Sequence, residues 1–314
     1  MINFAGLRVP PELVDSHRRY FGEAGLRWVS EAPRIAAELL QQWQLTPDGP
    51  SGHGAVAWVL PVRSVDHGPA VLKLQPIDDE TVGEPVALQA WHGDGAIRLL
   101  DHDQQTGSLL LERADAERSL DVIEDDLAAL QLLSELLARL SRWPAPPQLR
   151  RLSDIGERLL QRVPPTLAKI GNDPLRTMIN SCAAALGEVL PESGDRLLHW
   201  DLHYQNVLGS LPDTGREPWL AIDPKPLAGD PGFELLPALH NRWSDVIARG
   251  EVAGALRRRF DLMTEVLDLD RDRATAWTLA RVLQNVVWDI ENDDSGGGLS
   301  AADRVIADVL LGRS

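Results

Sequence analysis

The sequence predicts an α+β fold in two lobes: a small β-rich lobe preceded by helices, and a larger, mostly helical lobe. Three observations carry this. Between residues 45 and 113, short apolar runs alternate with turns containing Gly, Pro and Asp, as strands do. Beyond Glu112 the apolar residues recur at helical spacing over long stretches, so the boundary is expected at 113–118, with lobes at 1–113 and 114–314. Within the second lobe, His199, Asp201 and Asn206 form a polar frame between the apolar pairs Leu197-Leu198 and Val207-Leu208, which suit two short buried strands.

In chain order, Leu13, Tyr20, Leu26, Trp28, Val29, Ile35, Leu39, Leu40 and Trp43 give residues 11–43 a broken helical period. Gly22 to Gly25 and Pro33 are expected to divide this run into two helices. Pro47 to Gly54 is a loop with three glycines, followed by a strand at 55–62, a turn at 66–68 and a second strand at 70–74. Glycines such as Gly52 and Gly54 let backbone N–H groups approach phosphate oxygens. Lys73 is the single lysine of an apolar strand and needs a partner there. Glu84, at the start of a helix over 84–91, is the favoured partner, with Asp79 and Glu80 as rivals.

Gly93-Asp94-Gly95 ends that helix, and strands are expected at 97–100 and 108–113. At the boundary that follows, the backbone groups of Glu112 and Ala114 would receive a purine ring. Helices are then expected at 120–140, 155–170 and 175–190. After the polar frame, a strand from Trp219 ends in Asp223, which Pro224-Lys225-Pro226 forces into a loop. Asp230 is placed as the N-cap of the next helix, with Pro231 in its first turn. Further helices are expected at 233–249, 252–267 and 271–290, the last with Trp277, Val282, Leu283, Val286, Val287 and Ile290 in the core. Asp289, Glu291, Asp293 and Asp294 crowd acid at its end, as a solvated loop or as a face for a cationic substrate.

The frame has a chemical reading. Phosphoryl transfer needs one carboxylate near the incoming hydroxyl and, five residues on, an amide that holds a metal ion, which Asp201 and Asn206 supply. Asp223 at a strand end is the candidate second metal ligand. A competing reading takes the alternating His199, Asp201 and His203 as ligands of a hydrolytic transition metal, although the other histidines show no paired spacing.

Composition bounds these readings. The chain has 314 residues, 44% hydrophobic and 25% charged, ordinary values for a soluble protein with a real core. A net charge of -16 repels nucleic acid and anionic membranes and favours a cationic substrate, though acidity also serves solubility. With one cysteine, Cys182, an intrachain disulfide is excluded, and a buried apolar role is expected. The first residues show neither the basic stretch nor the apolar run of a signal peptide, and no window suits a membrane helix, so a cytoplasmic location is expected.

Several runs together resemble the aminoglycoside/hydroxyurea phosphotransferase family, the streptomycin 6-kinase-like branch of the protein-kinase-like fold. They are Ala57 to Val62 with Ala70 to Leu74, the hinge Leu109 to Arg113, the His199 to Asn206 frame, and Ile222-Asp223-Pro224-Lys225-Pro226 followed by Gly229-Asp230-Pro231. The Ile-Asp-Pro-Lys-Pro run is the most specific of these, and the third glycine position of the loop is Ala57. The resemblance implies an ATP- and magnesium-dependent kinase in which Asp201 takes or orients the proton of the acceptor hydroxyl. It also implies that Asn206 and Asp223 hold magnesium, Lys73 holds nucleotide phosphates, Glu84 holds Lys73, and His199 and Asp230 brace the loop. The implied substrate is a small, cationic molecule, streptomycin first. The alternatives are an amino alcohol, a sugar, hydroxyurea, or a role as a non-catalytic nucleotide-binding regulator.

Overall fold

The computed structural model describes residues 7–171, 173–292 and 300–313. The chain forms a mixed α+β fold and divides into two compact units. One holds the residues up to Asp115 together with Ser210–Pro218; the other holds Ala116–Gly209 and the chain from Trp219 onward.

In the first unit, α1 (Pro11–Gln42) precedes β1 (Leu45–Pro47), β2 (Gly52–His53), β3 (Trp58–Ser64) and β4 (Gly68–Leu74). Then come α2 (Glu84–Trp91), β5 (Leu99–Asp103) and β6 (Ser108–Glu112). The sheet order is β1-β3-β4-β6-β5, with β2 on β3, and every pairing is antiparallel. The helical break falls at Gly22, whose φ of 54° and ψ of -132° leave the helical region, whereas Pro33 is accommodated inside α1. Leu13, Ala36, Leu39 and Leu40 of α1 pack with Trp58, Leu60, Val62 and Leu72 of the sheet in one core. The strand expected from residue 55 begins instead at Trp58, because Gly54 N–H donates to the Ala57 carbonyl and closes a turn. Helix α2 occupies the predicted residues, with Glu84 in its first turn and His92 in the left-handed conformation at its end.

The chain passes into the second unit within β7 (Ala114–Ser119), and α3 (Asp126–Leu140), β8 (Arg150–Arg151), α4 (Leu152–Ala168) and α5 (Asp173–Val189) follow. Next are β9 (Arg196–Leu198), β10 (Val207–Ser210), β11 (Trp219–Ala221) and β12 (Leu227–Gly229). The remainder is helical: α6 (Leu235–Leu239), α7 (Trp243–Ala248), α8 (Val252–Val266), α9 (Arg271–Asn292) and α10 (Ala301–Leu310). Two small sheets, β11-β10-β7 and β8-β12-β9, carry the polar frame. The single helix expected at 233–249 is divided by Arg242, which takes a φ of 49°. Its guanidinium donates to the carbonyls of Leu120, Asp121 and Ile123, a pull that a continuous helix would not allow.

Helix α9 packs on α4, α5 and α10, and its Trp277, Val282, Leu283, Val286 and Val287 are fully buried, while Ile290 is half-buried. Cys182 on α5 is buried, and burial pushes its thiol up to about 12, which leaves it an inert apolar filler. No helix among the described residues is long and apolar enough to cross a membrane.

Candidate active site

The first unit presents a buried cation. Lys73 lies on β4 between Leu72 and Leu74, opposite Val59 of β3 and Leu109 of β6. Its Nζ donates to both oxygens of Glu84, at 2.8 and 2.7 Å, and the two side chains are only 6% and 2% exposed. Gln75 Nε2 donates to Glu84 Oε2 at 2.6 Å, which fixes the carboxylate from a second side. A pair so buried survives only with such added hydrogen bonds, since desolvation otherwise offsets the attraction.

Gly52 lies on β2, and Gly54 opens the turn at 54–57. A side-chain carbon at either would meet nothing within 4 Å, so neither packing nor a left-handed backbone demands glycine there. Ser16 Oγ on α1 donates to the Ala55 carbonyl, and His17 Nε2 lies 2.9 Å from the Val56 carbonyl, so α1 pins the turn. Glu112 is already engaged: its N–H donates to the Arg98 carbonyl, and its carboxylate accepts Arg98 N–H and faces Arg216 at 3.1 Å. Ala114, two residues on, is half-buried at the start of β7.

The second unit carries the polar frame. His199 directly follows β9 and is buried; its Nε2–H donates to the Ile222 carbonyl, and its Nδ1 accepts Asp201 N–H. Burial lowers its pKa to about 4, so the ring is neutral and acts as a backbone clamp. Both nitrogens are thus turned to backbone groups, which excludes His199 as a metal ligand. Among the described residues, no group of three or more His, Cys, Asp or Glu is placed to share a metal.

Asp201 is partly exposed, and its Oδ2 lies 3.0 Å from Lys225 Nζ. Asn206 Nδ2 donates to the Asp201 carbonyl at 2.9 Å, which fixes the amide plane. No hydrogen bond among the described residues uses Asn206 Oδ1. The Asn206 carbonyl accepts Ile222 N–H, which extends the β10–β11 pairing by one step and places Asn206 across from the residue that precedes Asp223. Asp223 adopts a φ of 58°, a left-handed conformation that turns the chain at the strand end. Two hard oxygen donors of this kind would suit magnesium. Asp230 caps the turn after β12 by accepting Gly232 N–H, and its other oxygen takes Arg273 Nε at 2.7 Å.

Asp201 lines a cavity of about 510 Å³, together with His203, Gln205, His240, Arg242 and Arg281 among others. Asp289 and Glu291 do not line it: Glu291 is paired with Arg162, and Asp289 accepts Ser300 N–H at 3.4 Å. Asp293 and Asp294 lie outside the described residues.

The sequence reading missed several supports of the frame. Trp200 has a φ of 68°, and its N–H donates to both oxygens of the buried Glu234 at 2.9 and 3.1 Å. The Trp200 ring lies between the guanidinium groups of Arg150 and Arg281, at 4.4 and 4.5 Å. Only Lys225 had a local signal, a lysine between two prolines directly after a strand-end aspartate.

The chain was compared with known proteins. A family model described as aminoglycoside/hydroxyurea antibiotic resistance kinase matches residues 42–293. A streptomycin 6-kinase of Streptomyces glaucescens is 49% identical, over 98% of this chain and 98% of its own. A hydroxyurea phosphotransferase of Kitasatospora aureofaciens is 50% identical, over 99% of this chain and 88% of its own. Among solved structures, an aminoglycoside phosphotransferase in ternary complex with ADP and hygromycin B matches with a TM-score of 0.59 at 14% identity, covering 89% of this chain and 98% of that one. An ethanolamine kinase of Plasmodium vivax matches with a TM-score of 0.55 at 11% identity, over 98% of this chain and 95% of its own. These structural likenesses show the fold.

Proposed function

The chain belongs to the aminoglycoside/hydroxyurea antibiotic resistance kinase family, and from that premise we propose that it transfers the γ-phosphate of ATP to a hydroxyl of streptomycin. The observation that carries this reading is Asp201, held between His199, Asn206 and Lys225 in the wall of a cavity large enough for a small molecule.

In the reaction, the acceptor oxygen bonds to the γ-phosphorus as the bond from that phosphorus to the β–γ bridging oxygen breaks, and ADP departs. Asp201 Oδ1, the oxygen not engaged by Lys225, orients the acceptor hydroxyl and receives its proton. Lys225 fixes the carboxylate and places positive charge beside the transferring group. Asn206 Oδ1 and Asp223 would hold magnesium, which when bound neutralises phosphate charge. Lys73, steadied by Glu84 and Gln75, would hold nucleotide phosphates. The open surroundings of Gly52 and Gly54 leave room for phosphate oxygens beside the turn, where Gly54 N–H is itself spent on the Ala57 carbonyl, and Ala114 is the backbone candidate for the purine edge. His199 and Asp230 act through the backbone they clamp. The location proposed is the cytoplasm, where ATP is available.

A second acceptor, hydroxyurea, is favoured by the relative that is 50% identical over 99% of this chain. The test is ADP release with magnesium-ATP and each acceptor, for the wild type and Asp201→Asn. We expect streptomycin to stimulate release and the variant to lose about 10²- to 10⁴-fold in kcat. Stimulation by hydroxyurea alone would transfer the assignment to that acceptor.

A further inference from the structure

The cavity that holds Asp201 contains a second ordered dyad. His240 lines it, and its Nε2 lies 2.8 Å from Oδ1 of Asp303, a carboxylate whose side chain is 2% exposed. The other Asp303 oxygen accepts Asn285 Nδ2 at 3.2 Å, and Asn285 also lines the cavity. Asp303 is anchored by its own N–H on Ser300 Oγ. A carboxylate fixed in this way accepts a hydrogen bond from Nε2–H of the imidazole, the tautomer that places the ring's lone pair on Nδ1. No hydrogen bond among the described residues uses that Nδ1.

Several other polar groups of the wall are engaged, while His203 and Gln205 also face it. Arg242 is spent on the carbonyls of Leu120, Asp121 and Ile123 and stacks on Tyr204. Arg281 stacks on Trp200 and Phe233. Asp201 faces Lys225, and Asn241 Oδ1 accepts Tyr204 N–H. His240 offers the cavity its Nδ1, on a ring whose orientation is set from behind by a buried carboxylate.

We propose that His240, oriented by Asp303 and Asn285, is a specificity-determining residue of the acceptor site, with Nδ1 receiving an N–H or O–H of the acceptor molecule. The class of ligand this selects is one rich in donors: amines, guanidines, hydroxylated ureas and polyols rather than anions. The inference rests on the reading of the Asp201 cavity as the acceptor site.

Two substitutions separate recognition from bracing. In His240→Asn, the amide oxygen falls near the position of Nδ1 and the reach to Asp303 is lost. In His240→Gln, the amide reaches toward Asp303 and the atom facing the cavity is lost. With streptomycin as acceptor, we expect His240→Gln to raise the acceptor KM about tenfold, with kcat and the KM for ATP nearly unchanged. His240→Asn should restore the acceptor KM to within about threefold of wild type. Thermal melting and calorimetric binding of streptomycin without nucleotide check that each variant is folded and that the loss is one of binding. The opposite order, Gln tolerated and Asn not, would overturn the proposal and leave His240 as a brace for α10. An unchanged KM in both variants, with wild-type turnover intact, would also overturn it. A wild type that turns over neither streptomycin nor hydroxyurea would defeat the site reading itself.

Discussion

At the scale of the residue, the polar frame is held by groups that are themselves under electrostatic strain. Glu234 accepts Trp200 N–H from beneath, and burial pushes its carboxyl up to about 7 from an ordinary 4.5. The folded protein therefore retains a proton between those values that the unfolded chain has lost. Its contribution to stability is fully present below about pH 4.5 and is lost as pH rises through about 7, on the order of 3 kcal/mol. Glu234→Gln cannot release that proton. Urea unfolding should show the wild type losing stability relative to this variant as pH is raised across the window; parallel curves would refute the assignment. Trp200 and Asp223 both have positive φ, at a cost of roughly 1–2 kcal/mol each, and the Glu234 bonds and the Pro224-Lys225-Pro226 run offset this locally. The candidate residues Asp201, Asn206 and Asp223 were legible because their spacing is local and chemically specific. Glu234 was not, because its partner is 34 residues away and a glutamate after Phe233 looks like any helix start. The His240–Asp303 contact, 63 residues apart, was hidden for the same reason.

At the scale of the element, Lys73 and Glu84 tie β4 to α2, and their burial makes the tie conditional on both charges. Glu84→Met alone leaves a buried ammonium and should lower stability by about 3–5 kcal/mol. The double variant Lys73→Met and Glu84→Met should recover most of that loss, because an apolar pair of similar volume needs no desolvation. Nucleotide affinity should stay low in both. Melting curves alongside nucleotide titrations read the two effects separately; recovered ATP binding in the double variant would remove Lys73 from the phosphate site. Helix α2 was legible to the residue, since Glu84 and Pro85 open it and Gly93 follows it. The short pairings β1, β2, β8 and β12 were not, because runs of two or three residues carry no periodicity and owe their strand state to a partner. The division of α6 from α7 was hidden too, as it depends on where the Arg242 side chain finds its carbonyls.

At the scale of the whole molecule, the net charge of -16 should draw in a cationic acceptor and leave a neutral one indifferent. The KM for streptomycin, which carries guanidinium groups, should therefore rise with ionic strength more than the KM for hydroxyurea. An equal salt response would show that global charge has no part in acceptor choice. The fold class was legible because strand and helix periodicities are segregated along the chain. The wall of the Asp201 cavity was not, because it is assembled from β9–β10, α6–α7 and α9, segments that no single pattern links. The Asp201 frame is proposed to transfer a phosphoryl group to an aminoglycoside hydroxyl. The most direct test is the mass of streptomycin recovered after incubation with magnesium-ATP and the wild type or Asp201→Asn protein. One added phosphoryl group is expected with the wild type and essentially none with the variant; unmodified streptomycin in both, or equal modification in both, would rule out this role for Asp201.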